Sequence, residues 1–325
     1  MSMHSANTLL AALATCAMAA VSPTAAADYP DKPIKIVVAY PAGGATDVIT
    51  RLIGQRLGER LKQSVVVENR PGASGMIGSE YVAKSPPDGY TLIYTAADTH
   101  SINPHVYPKI AYDSRRDFTP VALAGYNPFA LIVKTSLPVT TVAQFVAMAK
   151  EQPGKLTFAS WGVGSSGQAG MEMFNGYSKI SLLHVPFQGA APAIAAVMGG
   201  QVDSMMVPLT LAEPNNRAGK VRILAVATPK RSAGAPDAPT LSEQGVPLTV
   251  APWQGLLGPA NMPPEVVALL NREVNAVLSD AQMREQLLKN GLEVTTGTPQ
   301  EFKTFLDGEY ERWGKTIRDA NIKAE

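Results

Sequence analysis

From Pro33 onward the chain alternates short runs rich in β-branched residues with longer stretches of helical periodicity, and this limits the folds open to it more than any other feature. Pro33–Tyr40 (PIKIVVAY) reads as a buried strand. Asp47–Leu61 follows, with Val48, Ile49, Leu52, Ile53, Leu57 and Leu61 on one helical face. Ser64–Glu68, Tyr90–Ala96, Phe129–Lys134, Lys155–Trp161, Ile180–Phe187, Gln201–Val207 and Val221–Thr228 read as further strands, with helical stretches such as Met76–Lys84, Val142–Lys150 and Ala190–Met198 between them. Strand–helix alternation implies an α/β fold of mostly parallel sheets covered by helices. At 325 residues the chain is long enough for about two domains, each with its own core. After Pro263-Pro264 the pattern becomes helical throughout, at Glu265–Leu278, Ala281–Lys289 and Pro299–Asn321. The last of these carries Phe302, Phe305, Leu306, Tyr310 and Trp313 as a stripe, read as ordinary core packing.

Two strand-to-helix turns stand out. The first, Tyr40-Pro41-Ala42-Gly43-Gly44-Ala45-Thr46-Asp47, joins the first strand to the first helix. Small residues let a ligand approach the backbone, and free N–H groups at a helix start favour an anion. Thr46 or Asp47 can cap the helix. A capped turn with no ligand explains the same residues equally well. The second turn follows Ser160-Trp161 and contains Gly162, Gly164, Ser165 and Ser166. Lys35–Gly44 and Lys155–Gly164 form a loose echo: strand, aromatic residue, Gly-rich turn, helix. One such turn per domain suits two half-sites facing a cleft.

Several chemistries are disfavoured. Gly162–Gly167 is formally G-x-G-x-x-G, but Ile180–Gly200 holds no Asp or Glu to bind a ribose hydroxyl, so no dinucleotide cofactor is expected. No strict G-x-S-x-G occurs around Ser74 or Ser166. His184 sits in a strand-like run and reads as a structural histidine, and no histidine pair has zinc spacing. Neither a catalytic residue nor a metal is expected. A net charge of +1, from 28 Lys+Arg against 27 Asp+Glu, argues against a nucleic-acid partner.

The first 27 residues hold no Lys, Arg, Asp or Glu. The apolar stretch Leu9–Val21, the Ser22-Pro23 break and Ala25-Ala26-Ala27 read as a secretory signal cleaved after Ala27. Cys16, the only cysteine, lies within it, so the exported chain has no thiol for a disulfide, a metal or a nucleophile.

With these residues in hand, the chain resembles the Bug family, the substrate-binding proteins of tripartite tricarboxylate transporters. The resemblance rests on ordered blocks along the whole mature chain: Tyr29-Pro30-Asp31-Lys32-Pro33-Ile34, Tyr40–Asp47, Val67–Gly75, Pro87–Leu92, Ile102-Asn103-Pro104, Asp117–Val121, Val185–Ala193 and Gly199–Asp203. It implies a two-domain, periplasmic-binding-protein-like (flytrap) architecture, with residues 28–126 plus 252–325 as one domain and 127–251 as the other. It also implies a periplasmic monomer that captures a small carboxylate, passes it to membrane transporter subunits and catalyses nothing. By position, the family's binding turns fall on Tyr40, Ala42, Gly43, Gly44, Thr46 and Asp47, on Ser160, Gly162, Gly164, Ser165 and Ser166, and on Gln188, Gly189 and Ala190. Two places depart from the family: Gln168 stands where many relatives have His, and Val207-Pro208 stands where they often have a polar pair. The second departure makes Val207 and Pro208 an apolar distal wall, which favours a monocarboxylate or a weakly polar aromatic acid over citrate. The alternatives are a two-domain hydrolase and a ligand sensor that presents its closed form to a receptor.

Overall fold

The computed structural model describes residues 29–187 and 189–323, so the signal sequence expected over the first 27 residues and Gln188 lie outside the described residues. Residues Lys32–Glu325 hold together as one unit. Of the unit before it, Met1–Asp31, only Tyr29–Asp31 are described, and the Tyr29–Pro30 peptide bond there is cis.

Two sheet-and-helix domains are built on the same plan. The first sheet comprises β1 (Ile34–Val38), β2 (Val65–Asn69), β3 (Thr91–Ala96), β4 (Phe118–Tyr126), β10 (Trp253–Pro259) and β11 (Glu293–Val294), in the order β11-β4-β10-β3-β1-β2. The second comprises β5 (Phe129–Lys134), β6 (Thr157–Ser160), β7 (Leu183–Pro186), β8 (Ser204–Pro208) and β9 (Val221–Val226), in the order β7-β6-β8-β5-β9. In each sheet three neighbouring strands are parallel, β2-β1-β3 and β7-β6-β8, and antiparallel strands follow. The echo between Lys35–Gly44 and Lys155–Gly164 therefore marks equivalent strands, β1 and β6, each at the centre of its parallel trio.

The helices are α1 (Ala45–Leu61), α2 (Met76–Ala83), α3 (Asn103–Val106), α4 (Val142–Glu151), α5 (Ser166–Ser178), α6 (Ala190–Met198), α7 (Leu209–Arg217), α8 (Pro264–Ser279), α9 (Ala281–Lys289) and α10 (Pro299–Asp319). In α1 the buried apolar residues are Ile49, Ile53 and Leu57, one every four positions. A capping box in which Thr141 and Gln144 satisfy each other's backbone fixes the start of α4, and Thr298 with Glu301 does the same for α10.

The sheets are mixed rather than mostly parallel: β5 runs antiparallel to its neighbours β8 and β9 in the second sheet, and in the first β10 runs antiparallel to β3 and β4, where β4 and β10 are strands that the sequence pattern does not reveal. Tripeptide-level signals work against β10, Trp253-Gln254-Gly255-Leu256-Leu257-Gly258-Pro259, since glycine and proline disfavour strands. The structure explains Gly255: a Cβ there would stand 2.6 Å from the Phe302 ring and 2.9 Å from the Ala122 carbonyl oxygen. Absence of a side chain lets α10 press its aromatic stripe onto the sheet. Phe302 and Trp313 of that stripe are buried, as core packing requires.

The chain passes between the sheets where β4 leads into β5, and again between β9 and β10. The Asn127 N–H donates to the Pro252 carbonyl (2.8 Å), and Gln254 Nε2 donates to Asn127 Oδ1 (2.9 Å), tying the two passages side by side. Helix α10 also bridges the halves. Its Trp313 and Ile317 join Ile102 and Val106 in one core with Phe145, Phe158 and Phe174.

Candidate functional site

A cavity of about 450 Å³ opens at the carboxyl ends of the parallel strands and between the two sheets. This is where open α/β sheets bind ligands, because helix starts and strand-end loops converge there. After β1 come Tyr40, Pro41, Gly44, Ala45 and Thr46; Ala96 closes β3, and Asp98 follows it; Trp161 and Ser166 follow β6; Pro208 ends β8. The interdomain passages contribute Asn127, Phe129, Pro252, Trp253 and Gln254, and Ala190 comes from the start of α6. Among the described residues that line it there is no Lys, Arg or His. Two indoles, the Phe129 ring and three prolines supply an apolar body. Phe129 and Trp161 meet edge to face, with centroids 5.6 Å apart.

Residues Pro41–Ala45 of the first turn are exposed. Gly44 is the N-cap of α1, with φ −73° and ψ 163°, and no side chain caps it. The backbone N–H groups at the start of α1 have no acceptor within the helix and face the dipole's positive end. Asp47 serves the turn from behind. Its carboxylate accepts from Gly43 N (2.9 Å), Asn69 Nδ2 (2.8 Å) and Arg51 Nε (3.1 Å). Burial alone would raise this carboxyl, but those hydrogen bonds outweigh burial and hold it below the usual carboxylate range. Asp47 therefore fixes the shape of the turn, and it does not line the cavity. Ala42 and Gly43 are not on the lining either.

The second turn is closed upon itself. Gly164, Ser165 and Ser166 are buried. Gly162 N donates to Ser160 Oγ (3.2 Å), Gly164 N to Gln168 Oε1 (2.8 Å) and Ser165 N to the Gly162 carbonyl (3.3 Å). Ser165 caps α5 by accepting from Gln168 N, which gives Gln168 two roles in the turn. Ser160 is fully buried, and its Oγ lies 2.7 Å from His184 Nε2. Burial lowers the His184 pKa, so the imidazole stays neutral and acts as a hydrogen-bonding partner within the fold. Of the residues expected at this turn only Ser166 reaches the cavity lining. Ser160, Gly162, Gly164 and Ser165 support it from within.

The loop before α6 places Ala190 on the lining, while Gly189 is its N-cap with φ +118°. The proposed distal wall divides. Pro208 lines the cavity, but Val207 is fully buried and packs with Ala130, Ala159 and Met205 in the core. Successive strand residues face opposite sides, so the last two positions of β8 cannot share one wall. The apolar wall comes instead from the part-exposed Trp161, with the buried Phe129 and Trp253 rings behind the lining.

Sequence reasoning missed Asp98. It lies two residues past the end of β3, opens the helical turn Asp98–Ile102, and keeps part of its surface open to the cavity. Its Oδ1 accepts from the Ser166 N–H at 3.3 Å, across from the other sheet. Burial pushes its carboxyl above the usual range, against hydrogen bonds from the Ser166 backbone and side chain. Its position just past a parallel strand was the signal that could have found it. Tyr40 stands nearby with a buried hydroxyl that lacks a partner. Burial, and then the Asp98 charge, push this phenol well above its usual range.

A larger groove of about 640 Å³ runs between α5 and α10. Two of its three cations are paired, Arg312 with Glu309 and Lys315 with Asp319, and it lies away from the strand ends.

Comparison with known proteins points the same way. Residues 49–322 match the model of the tripartite tricarboxylate transporter family receptor. A UPF0065 protein from the tcbD-tcbE intergenic region of a Pseudomonas species is 36% identical over 91% of this chain and 88% of its own. Protein BugT of Bordetella pertussis is 32% identical over 96% of this chain and 95% of its own. Among solved structures, Rpa4515 of R. palustris with adipate is 36% identical, with a TM-score of 0.80 over 91% of this chain and 100% of its own. The periplasmic binding protein BugD is 30% identical, with a TM-score of 0.75 over 91% of this chain and 100% of its own.

Proposed function

The chain belongs to the tripartite tricarboxylate transporter family receptors, and from that premise we propose that its cavity captures one small monocarboxylate or weakly polar aromatic acid for delivery to membrane transporter subunits. The observation that carries this reading is the cavity itself. An open helix start with free N–H groups stands at one side, and a wall of Phe129, Trp161 and Trp253 stands behind it. A helix start suits a carboxylate. An apolar wall rewards a hydrocarbon body at about 25 cal/mol per Å² buried and penalises a second desolvated charge. A linear dicarboxylate is the second reading, favoured by the R. palustris relative solved with adipate.

In this reading the protein is exported, is cleaved after Ala27, works as a monomer and catalyses nothing. Its domains divide at 126/127 and 251/252, with the paired passages around Asn127 and Pro252 as the hinge. A thermal-shift screen with mono-, di- and tricarboxylates tests the ligand class, because a ligand that binds only the folded state raises the melting temperature. Short monocarboxylates and benzoate-like acids should give the largest shifts. Stabilisation by citrate alone would overturn the reading.

A further inference from the structure

Three helix starts reach the cavity, α1 at Gly44–Thr46, α5 at Ser166 and α6 at Ala190. Each could hold an anion, yet the one at α5 is already taken. At α5 the protein's own Asp98 carboxylate accepts from the Ser166 N–H, and the neighbouring Gly164 and Ser165 N–H groups are engaged inside the turn. Among the described residues of the lining nothing cationic offsets Asp98. The nearest titratable side chain, Tyr40, is neutral, so it adds no positive charge. Two carboxylates a few ångströms apart in a partly dry cavity cannot both remain ionised without a proton or a cation between them.

We infer that Asp98 sets the charge of the ligand: it occupies the start of α5 as a built-in anion, leaves the ligand carboxylate to the start of α1, and disfavours a second carboxylate in the same cavity. A dicarboxylate long enough to cross the cavity brings its second carboxylate toward Asp98, and must either displace it from Ser166 or force it to take up a proton. Burial already raises the Asp98 carboxyl, so a further negative charge beside it is resisted by the same surroundings. Asp98 is thus a specificity-determining residue, and the inference rests on the single-carboxylate reading above.

Hexanoate and adipate share a six-carbon chain and differ by one carboxylate, so their affinity ratio isolates the second charge. Calorimetry at neutral pH on the wild-type protein, Asp98→Asn and Asp98→Ser reads that ratio, with the melting temperature checked for each. The isosteric Asn keeps a hydrogen-bond acceptor for Ser166, and Ser removes the carboxylate in a smaller side chain. The wild type should favour hexanoate by at least tenfold, and both variants should reduce that preference by at least tenfold or reverse it. If the wild type favours hexanoate and the folded variants keep the full preference, the role of Asp98 is overturned while the single-carboxylate function stands. If the wild type binds adipate as tightly as hexanoate, the function and the inference fall together.

Discussion

The turns after β1 and β6 look alike in sequence and differ in what they leave free. After β1, the glycines are exposed and the first N–H groups of α1 await an acceptor. After β6, Gly164, Ser165 and Ser166 are buried and the turn's donors are taken by Ser160, Gln168, Gly162 and Asp98. The difference lies in which side chain closes each turn. Asp47 holds its turn from the side away from the cavity, through Gly43, Asn69 and Arg51. Asp98 reaches its turn from across the cavity, at the helix start itself. A Gly-rich turn is therefore a binding element only where the surrounding side chains leave its donors unused.

The largest effect expected from this contrast is on stability at the second turn. Gly164 has φ +76°, and a Cβ there would stand 2.8 Å from Val106 Cγ1. Strain and overpacking together should make Gly164→Val less stable by about 2–4 kcal/mol, read from its denaturant midpoint. A midpoint equal to the wild type would show that the second turn is looser than its hydrogen bonds imply.

The matched change at the first turn should behave in the opposite way. Gly44 has a negative φ open to any residue, and a Cβ there meets only the Pro41 carbonyl oxygen, at 3.5 Å. Gly44→Val should lose at most about 1 kcal/mol of stability, the effect of a poorer N-cap residue. Hexanoate affinity should fall at least tenfold, about 1.4 kcal/mol, as a branched side chain stands over the α1 donors. Calorimetry showing unchanged affinity in a folded variant would make the first turn a structural feature only.

Periodicity and turn chemistry were enough to read the parallel trios of both sheets, the helices between them and the two Gly-rich turns. β10 was hidden because its glycines serve the packing of Phe302, a tertiary reason that no local propensity reports. Val207 was misplaced because adjacent strand residues were assigned to one face. Asp98 and the aromatic wall were not recognised because their proximity to Ser166 arises from the meeting of two sheets, far apart in sequence. Which donors in a Gly-rich turn remain free depends on such long-range partners, and a motif cannot show it.

The central claim, that the ligand carboxylate sits at the start of α1 and not at α5, is tested most directly by a crystal structure with 6-bromohexanoate, whose bromine marks the tail by anomalous scattering. The account predicts carboxylate oxygens about 2.7–3.2 Å from the N–H groups at Ala45 and Thr46, with bromine against the wall of Phe129, Trp161 and Trp253 and Asp98 still on Ser166. A carboxylate on the Ser166 N–H with Asp98 displaced, and bromine toward Gly44, would contradict it.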